Sequence, residues 1–489
     1  MSDDPDELRE RFDAEQARAD AGGGVARQRR QERLGRGTAR GRIAALVDDD
    51  SFLELERHVE HRRGGALVPP GDGLVAGIAR IDGTPVAVYA HDPTVFRGAL
   101  GHAASRKLCR LMDRAGAESW PIVALADCDG VRVDEGTDAV DAYGEVIDRR
   151  IRLRGQVPQL TLVCGLCVGA AAYDAALTDF VGMVRGQSFM FITGAKLTEV
   201  VTGQRVSIEE LGGPEMHATK TGACHAVLPD EAAGFDWVRS MLAALEARTS
   251  QEPSGDGIDA AIPRDPRRGY DSRAVIDGLV DAGSFLELSA DFARNLVTGL
   301  ARLDGKPVAL LASQPQHRAG CLDIDSSRKG AHFVRYASAR RLPLLTLIDV
   351  PGYWPGKEQE QGGILPFGAE LLDAYGRANV PRIAVVLRKS YGGANVLSYA
   401  ADLRFALPTA AVAPMGVDAA ERLLLAPVSD DADGETKARA EAERAAFREN
   451  WAHEHGDAWA AARSGYFDQV VAPEALRDVL TQSIGVLAR

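Results

Sequence analysis

The sequence is short of several things, and each shortage excludes a class of protein. Six of its 489 residues are cysteine, at 109, 128, 164, 167, 224 and 321. So few in so long a chain do not make a disulfide scaffold. Cys164 and Cys167 have C-x-x-C spacing, but a zinc site ordinarily needs a second such pair. Both fall in an apolar, Gly/Ala-rich run from Leu160 to Ala172 and read as small core residues. No stretch of about 18 apolar residues occurs, so no membrane span is expected. The first thirty residues alternate Asp/Glu with Arg and lack the apolar core of a secretory signal, which makes the cytoplasm the expected location. Basic residues are in deficit, 57 against 70 acidic, for a net charge of −13. That balance excludes a general nucleic-acid or membrane-surface binder, while leaving room for a local basic pocket. The motifs G-x-x-x-x-G-K-[ST], G-x-S-x-G and H-E-x-x-H are all missing. His453 and His455 lie two apart in a charged helical stretch, and residues so spaced do not share a helix face. No metal is expected.

What the chain does have is a 45% hydrophobic content, enough for a sizeable core, and a length that fits two large domains or three ordinary ones. It also repeats itself. Gly77-Ile78-Ala79-Arg80-Ile81-Asp82-Gly83-Thr84-Pro85-Val86-Ala87 returns as Gly299-Leu300-Ala301-Arg302-Leu303-Asp304-Gly305-Lys306-Pro307-Val308-Ala309, an offset of 299 − 77 = 222. Ser105-Arg106-Lys107 matches Ser327-Arg328-Lys329 at that offset, and Pro121 to Asp127 matches Pro343 to Asp349. One residue out of step, Gly169-Ala170-Ala171 matches Gly392-Gly393-Ala394. A period this long is a domain rather than a solenoid unit. The reading is therefore a first domain over 1–250, an exposed Pro/Gly/Ser-rich linker over 251–271, and a second domain over 272–489.

Within each copy the pattern alternates. Ile78 to Val86 is a hairpin turning on Asp-Gly. Ile122 to Ala126 and Leu344 to Ile348 are continuous apolar runs of buried strands. Gly101 to Ala115 and Ser326 to Arg341 have helical spacing, and Asp430 to Ala461 is a charged, solvated helix. Such alternation predicts an α/β layered fold in each half. Strands end in glycine-rich turns at Asp127 to Gly130, Cys167 to Ala170, Asp349 to Gly352 and Tyr391 to Ala394. A glycine turn opening a helix exposes amide hydrogens, and two converging amides form an oxyanion hole able to steady a thioester enolate. One such turn is unremarkable; four at equivalent positions point to function. Asp127, Asp349 and Glu135 are candidate general bases, with capping or turn formation as the plainer alternative.

These blocks resemble the β subunit, or carboxyltransferase, of biotin-dependent acyl-CoA carboxylases such as propionyl-CoA and acetyl-CoA carboxylase. The similarity runs from about Arg33 to the C-terminus. It is carried by Gly37-Thr38-Ala39-Arg40-Gly41-Arg42-Ile43, Ala176-Leu177-Thr178-Asp179-Phe180, Asp349-Val350-Pro351-Gly352-Tyr353 and Arg388-Lys389-Ser390-Tyr391-Gly392-Gly393-Ala394. The resemblance implies tandem crotonase-like (ClpP/crotonase) β-β-α superhelical domains, assembled as a homohexamer. It implies transfer of CO2 from carboxybiotin to the α-carbon of an acyl-CoA through an enolate, with biotin on a separate carrier served by a biotin carboxylase. The N half would hold acyl-CoA and the C half biotin, the active site lying between halves of neighbouring subunits. By the same resemblance Gly393 and Ala394 serve the biotin urea oxygen, and Asp129 and Gly130 with Gly169 and Ala170 serve the thioester oxygen. Val131, Arg132, Val396, Tyr391, Gly352 and Tyr353 would line the substrate sites, Val396 favouring an apolar acyl chain. The chain departs from the family at the acyl-side turn, where Cys128-Asp129-Gly130-Val131-Arg132 replaces Ser-Gly-Gly-Ala-Arg. A left-handed φ at Asp129 would be strained, and its carboxylate would repel a forming enolate. Two alternatives follow from that departure: a biotin-independent relative performing decarboxylation or acyl transfer, or a non-catalytic hexamer partner.

Overall fold

The computed structural model describes residues 4–60, 69–255, 257–429, 431–455 and 457–487. The chain divides into two compact units, the first ending at Ala243 and the second beginning at Ala244.

The first unit is built on strands β1 (Leu53–Glu54), β2 (Leu74–Ile81), β3 (Thr84–His91), β4 (Ile122–Cys128), β5 (Gln159–Val168), β6 (Phe180–Val184), β7 (Phe189–Phe191) and β8 (Ala226–Leu228). They form one sheet in the order β1-β2-β3-β4-β5-β6-β8, with β7 against the far end of β5. The β2–β3 hairpin is antiparallel, and from β3 onward the neighbours are parallel. Asp82 and Gly83 both have positive φ, 49° and 81°, as a two-residue type I′ turn requires. The Asp48 carboxylate accepts from both of their amides at 2.8 Å.

The second unit repeats this with β9 (Leu286–Leu288), β10 (Leu296–Leu303), β11 (Lys306–Ser313), β12 (Leu344–Val350), β13 (Arg382–Tyr391), β14 (Leu403–Ala406), β15 (Ala411–Ala413) and β16 (Gln469–Val470). The order is β16-β14-β13-β12-β11-β10-β9, with β15 against β13. Asp304 and Gly305 repeat the I′ turn, and Asp281 repeats the carboxylate cap. The apolar strands β4 and β12 are buried along their whole length. Helices His102–Glu118 and Ile324–Ala339 lie where the spacing predicts. The charged stretch is helical over Gly434–His455 and Ala458–Arg463, and the longer of the two buries no residue.

The segment 251–271, expected as an exposed linker, is exposed at most of its described residues and is pinned to the second unit's core at three points. Ile258, Ile262 and Tyr270 are buried there. The carbonyls of Asp265 and Arg268 accept from the Arg388 guanidinium. Prolines and glycines break regular structure but do not prevent a segment from packing. Among the described residues no helix is long and apolar enough to cross a membrane, and no cluster of His, Cys, Asp and Glu is arranged to hold a metal ion.

Candidate functional site

Each unit brings two of the glycine turns side by side at the C-terminal ends of two parallel strands. In the first unit the Cα partners are Ala126 with Val163 and then Cys128 with Cys167, a two-residue slip that bulges β5 just before its turn. The second unit repeats the slip between Ile348/Val386 and Val350/Ser390. The turn after β4 therefore lies beside the turn after β5, and the turn after β12 beside that after β13.

The chemistry of these turns is in their backbone. Gly169 has φ 61° and ψ −122°, which reverses β5 into the helix Ala170–Ala176. Its carbonyl accepts from Ala172 and Tyr173, and its amide donates to the Phe191 carbonyl at 3.0 Å. The first amides of a helix have no partner within it. Those of Ala170 and Ala171 head the helix Ala170–Ala176 and so have no acceptor within it. In the second unit Gly392, at φ 60°, opens the same turn. Gly393 stands at the head of the short helix Gly392–Asn395, so its amide too has no acceptor within that helix, whereas the Ala394 amide falls where the first 3-10 turn closes onto Tyr391. Gly169 is thus corrected as a donor: its amide is spent within the sheet, and the available donors begin one residue later.

Asp129 stays outside the left-handed region, which Gly130 occupies at φ 88°, so the expected strain at Asp129 is absent. Its amide donates to the Arg97 carbonyl at 3.2 Å, and its carboxylate lies 3.2 Å from the Arg97 guanidinium. As a backbone donor Asp129 is therefore also corrected. Gly130 touches the neighbouring turn closely: a Cβ on it would stand 3.0 Å from the Val168 carbonyl.

Among the expected substrate contacts, Arg132 is buried, and its guanidinium engages Asp72 and Glu135 and lies 4.3 Å above the Phe96 ring. It braces the turn rather than reaching a ligand. Val396 is 1% exposed, because it begins the helix Val396–Tyr399 and faces the core. It is corrected as a pocket wall. Val131 is half-buried against the first core. Tyr353 borders Gly393, whose absent Cβ would stand 3.6 Å from its ring; Gly352 has φ 145° and nothing within 4 Å of where a Cβ would be. Burial raises the hydroxyl pKa of both Tyr353 and Tyr391, so both stay protonated.

None of the three candidate bases is free for proton transfer. Asp127 accepts from Arg42 Nη1 at 3.0 Å and from the Leu166 amide at 3.1 Å. Asp349 accepts from Arg388 Nε at 2.7 Å and from the Lys389 amide at 3.2 Å. Glu135 accepts from Arg132 and from the His102 amide, capping a helix. The cysteines beside the turns are packing groups, as their apolar setting suggested. Burial pushes Cys128 and Cys164 up to about 12 and Cys167 well above its ordinary value.

An apolar pocket of about 540 Å³ lies against the first unit's turns, walled by Leu166, Val168, Phe191, Leu197, Val200 and Ile208, with Arg97, Asp129 and Lys196 as its charged groups. A larger one of about 580 Å³, lined by Lys437, Arg444 and Arg448 with Glu421, lies against the helix Gly434–His455 and includes none of the turn residues. Sequence reasoning missed the loops that pack under the turns. Phe96, Arg97 and Gly98 are all left-handed, as are Arg318, Ala319 and Gly320. Their signal was present: Pro93, Gly98 and Leu100 recur as Pro315, Gly320 and Leu322 at the offset of 222.

Residues 30–489 match the carboxyl transferase domain. The chain is 38% identical to a propionyl-CoA carboxylase carboxyltransferase subunit of Haloferax mediterranei, covering 100% of this chain and 96% of that one. It is 36% identical to the methylmalonyl-CoA decarboxylase subunit alpha of Propionigenium modestum, covering 95% and 93%. Among solved structures the transcarboxylase 12S hexamer core, crystallised with methylmalonyl-CoA bound, superposes with a TM-score of 0.92 at 35% identity, covering 100% of this chain and 97% of that one. With duplicated α/β units, paired glycine turns and similarity over its whole length, the chain belongs to the carboxyl transferase family, as an acyl-CoA carboxylase carboxyltransferase subunit.

Proposed function

We propose that the first unit's turns hold the thioester oxygen of an acyl-CoA and that the second unit's turns hold the ureido oxygen of biotin on a separate carrier protein. The observation that carries this reading is the set of amides at Ala170, Ala171 and Gly393. They stand at equivalent places in two copies, where a glycine turn opens a helix whose leading amides have no acceptor within it. Amides fixed before reaction stabilise an oxyanion more than the carbonyl it forms from. The Ala170 and Ala171 amides would draw charge onto the thioester oxygen as the α-proton leaves. The apolar walls around Phe191 and Leu197 would hold the acyl chain and exclude water.

Biotin suits the second unit's turn on chemical grounds. A ureido oxygen is an acceptor, the turn offers donors, and the bare Cα of Gly393 keeps space open beside the Tyr353 ring. When bound in its carboxylated form, biotin supplies the carbon dioxide and a nitrogen base. With Asp127, Asp349 and Glu135 held in ion pairs, this chain's own part is positioning and charge stabilisation.

Propionyl-CoA is the proposed acyl thioester, on the strength of the relatives that carry that name. A homohexamer working with a biotin carboxylase and carrier in the cytoplasm completes the reading. Incubation with a panel of acyl-CoAs and a carrier whose biotin bears a labelled carboxyl group tests it. Label should enter the α-carboxyl of the product, fastest from propionyl-CoA; no label from any acyl-CoA overturns it. The decarboxylase relative favours a second reading, loss of a carboxyl group from a malonyl-type thioester. Release of CO2 from methylmalonyl-CoA without any carrier would support that reading.

A further inference from the structure

The pocket beside the first unit's turns contains an ion pair that the second unit does not repeat. Arg97 lies in the middle of three left-handed residues, with φ 56°. That conformation is strained for a residue with a side chain, and strain of this kind persists where the surroundings enforce it, often at functional places. Two bonds tie Arg97 to the turn after β4. Its carbonyl accepts from the Asp129 amide at 3.2 Å, and its Nη2 stands 3.2 Å from the Asp129 carboxylate. Both residues line the pocket. The equivalents at 97 + 222 and 129 + 222 are Ala319 and Pro351. Ala319 keeps the left-handed φ, at 54°. Alanine has no charge to offer and proline has no amide hydrogen, so neither bond can form there.

The difference matters because of its neighbours. Asp129 directly precedes Gly130, beside the turn that presents the Ala170 and Ala171 amides. A bare carboxylate at that place opposes negative charge building on a thioester oxygen. We propose that Arg97 is a positioning residue of the acyl-side turn, clasping Asp129 by backbone and side chain so that its carboxylate is neutralised where the enolate forms. The inference rests on the reading of the first unit as the acyl-CoA side.

The test is equilibrium binding of two CoA ligands with the same short chain, one a neutral thioether and the other a nitronate carrying the charge of an enolate. Arg97→Ala should weaken the nitronate about tenfold more than the thioether, the size of a charge effect largely screened by solvent, since Arg97 is 70% exposed. Adding Asp129→Asn to that variant removes the stranded charge and should return nitronate binding to within about threefold of the parent by the same argument. Arg97→Lys, which keeps the cation, should remain close to the parent and serves if Arg97→Ala does not fold. A double variant no better than Arg97→Ala, or equal loss for both ligands, overturns the clasp and leaves the acyl-CoA reading standing. Failure of the parent protein to bind either ligand overturns the acyl-CoA reading, and the clasp's role with it.

Discussion

The two units solve one problem with different residues. Both end their central strand in a buried aspartate, Asp127 in one and Asp349 in the other, directly beneath the turns. In the second unit the arginine that meets it, Arg388, comes from the adjacent strand β13, and Val275 lies buried on the preceding helix. In the first unit the strand position has no side chain. Gly165 stands there, and a Cβ on it would come within 2.1 Å of the Asp127 carboxylate. The arginine comes instead from the helix Ala39–Leu46, as Arg42, at the place equivalent to Val275. The cover differs too. Arg42 also binds Glu231, at 2.7 Å, whereas Arg388 binds the carbonyls of Asp265 and Arg268 and lies over Tyr270. A buried charge needs a partner with good geometry, but not from a particular element. Duplicated folds can therefore exchange the donor and keep the turn.

A second contrast lies within the turns. Ser390, Asn395, Ser398 and Tyr466 brace the second unit's turn through hydrogen bonds. At the offset of 223 the first unit has Cys167, Ala172 and Ala175, and packs its turn without them.

The comparison is broken most severely by removing the arginines. Arg42→Met strands both Asp127 and Glu231, and Arg388→Met strands Asp349. Each should cost about 3–5 kcal/mol, Arg42→Met at the upper end. Urea unfolding followed by hydrogen exchange in each unit measures it, and equal losses would mean that Glu231 adds nothing. Acid should separate the units next. Burial holds His91 at about 4, below its ordinary 6.5, and its equivalent is Ser313. The unfolded chain takes up that proton first, so stability of the first unit falls as pH drops from 6.5 towards 4, by roughly 3 kcal/mol in total. Thermal melts across that range should lose this slope in His91→Ser. Tyr466→Phe removes the hydroxyl that meets Ser398 and Asn395, at about 1 kcal/mol. It should lower turnover with the biotin carrier while leaving CoA affinity unchanged. Smallest in stability is Gly393→Ala, which gives the second unit the residue that the first has at Ala170. The new methyl meets the Tyr353 ring at ordinary contact distance, so folding should shift by under about 1 kcal/mol. Carboxyl transfer from the carrier should nonetheless slow, because that space is needed.

Much of this was legible without coordinates. The Asp82-Gly83 and Asp304-Gly305 hairpins depend on residues that tolerate positive φ, and β4 and β12 on unbroken apolar runs. The helices after Gly101 and Asp323 depend on local spacing. The glycine turns were found for the same reason. Arg132 and Val396 were misread because each occupies a plausible place in sequence while its side chain is directed inward. Asp72, which pairs with Arg132, is 60 residues away. The segment 251–271 is mostly exposed as its composition suggests, but composition says nothing of the three side chains that pin it to the core.

Duplication, fold class and the position of the turns were settled by the order of the amino acids, since all three rest on short-range pattern and on the recurrence of that pattern. Which amides remain open, which aspartates are neutralised and from where their arginines come were settled only in three dimensions. A backbone N–H is available to a ligand when no carbonyl lies within reach, and a carboxylate is harmless to an enolate when a cation has met it. Both conditions depend on neighbours that the fold, not the chain, brings near.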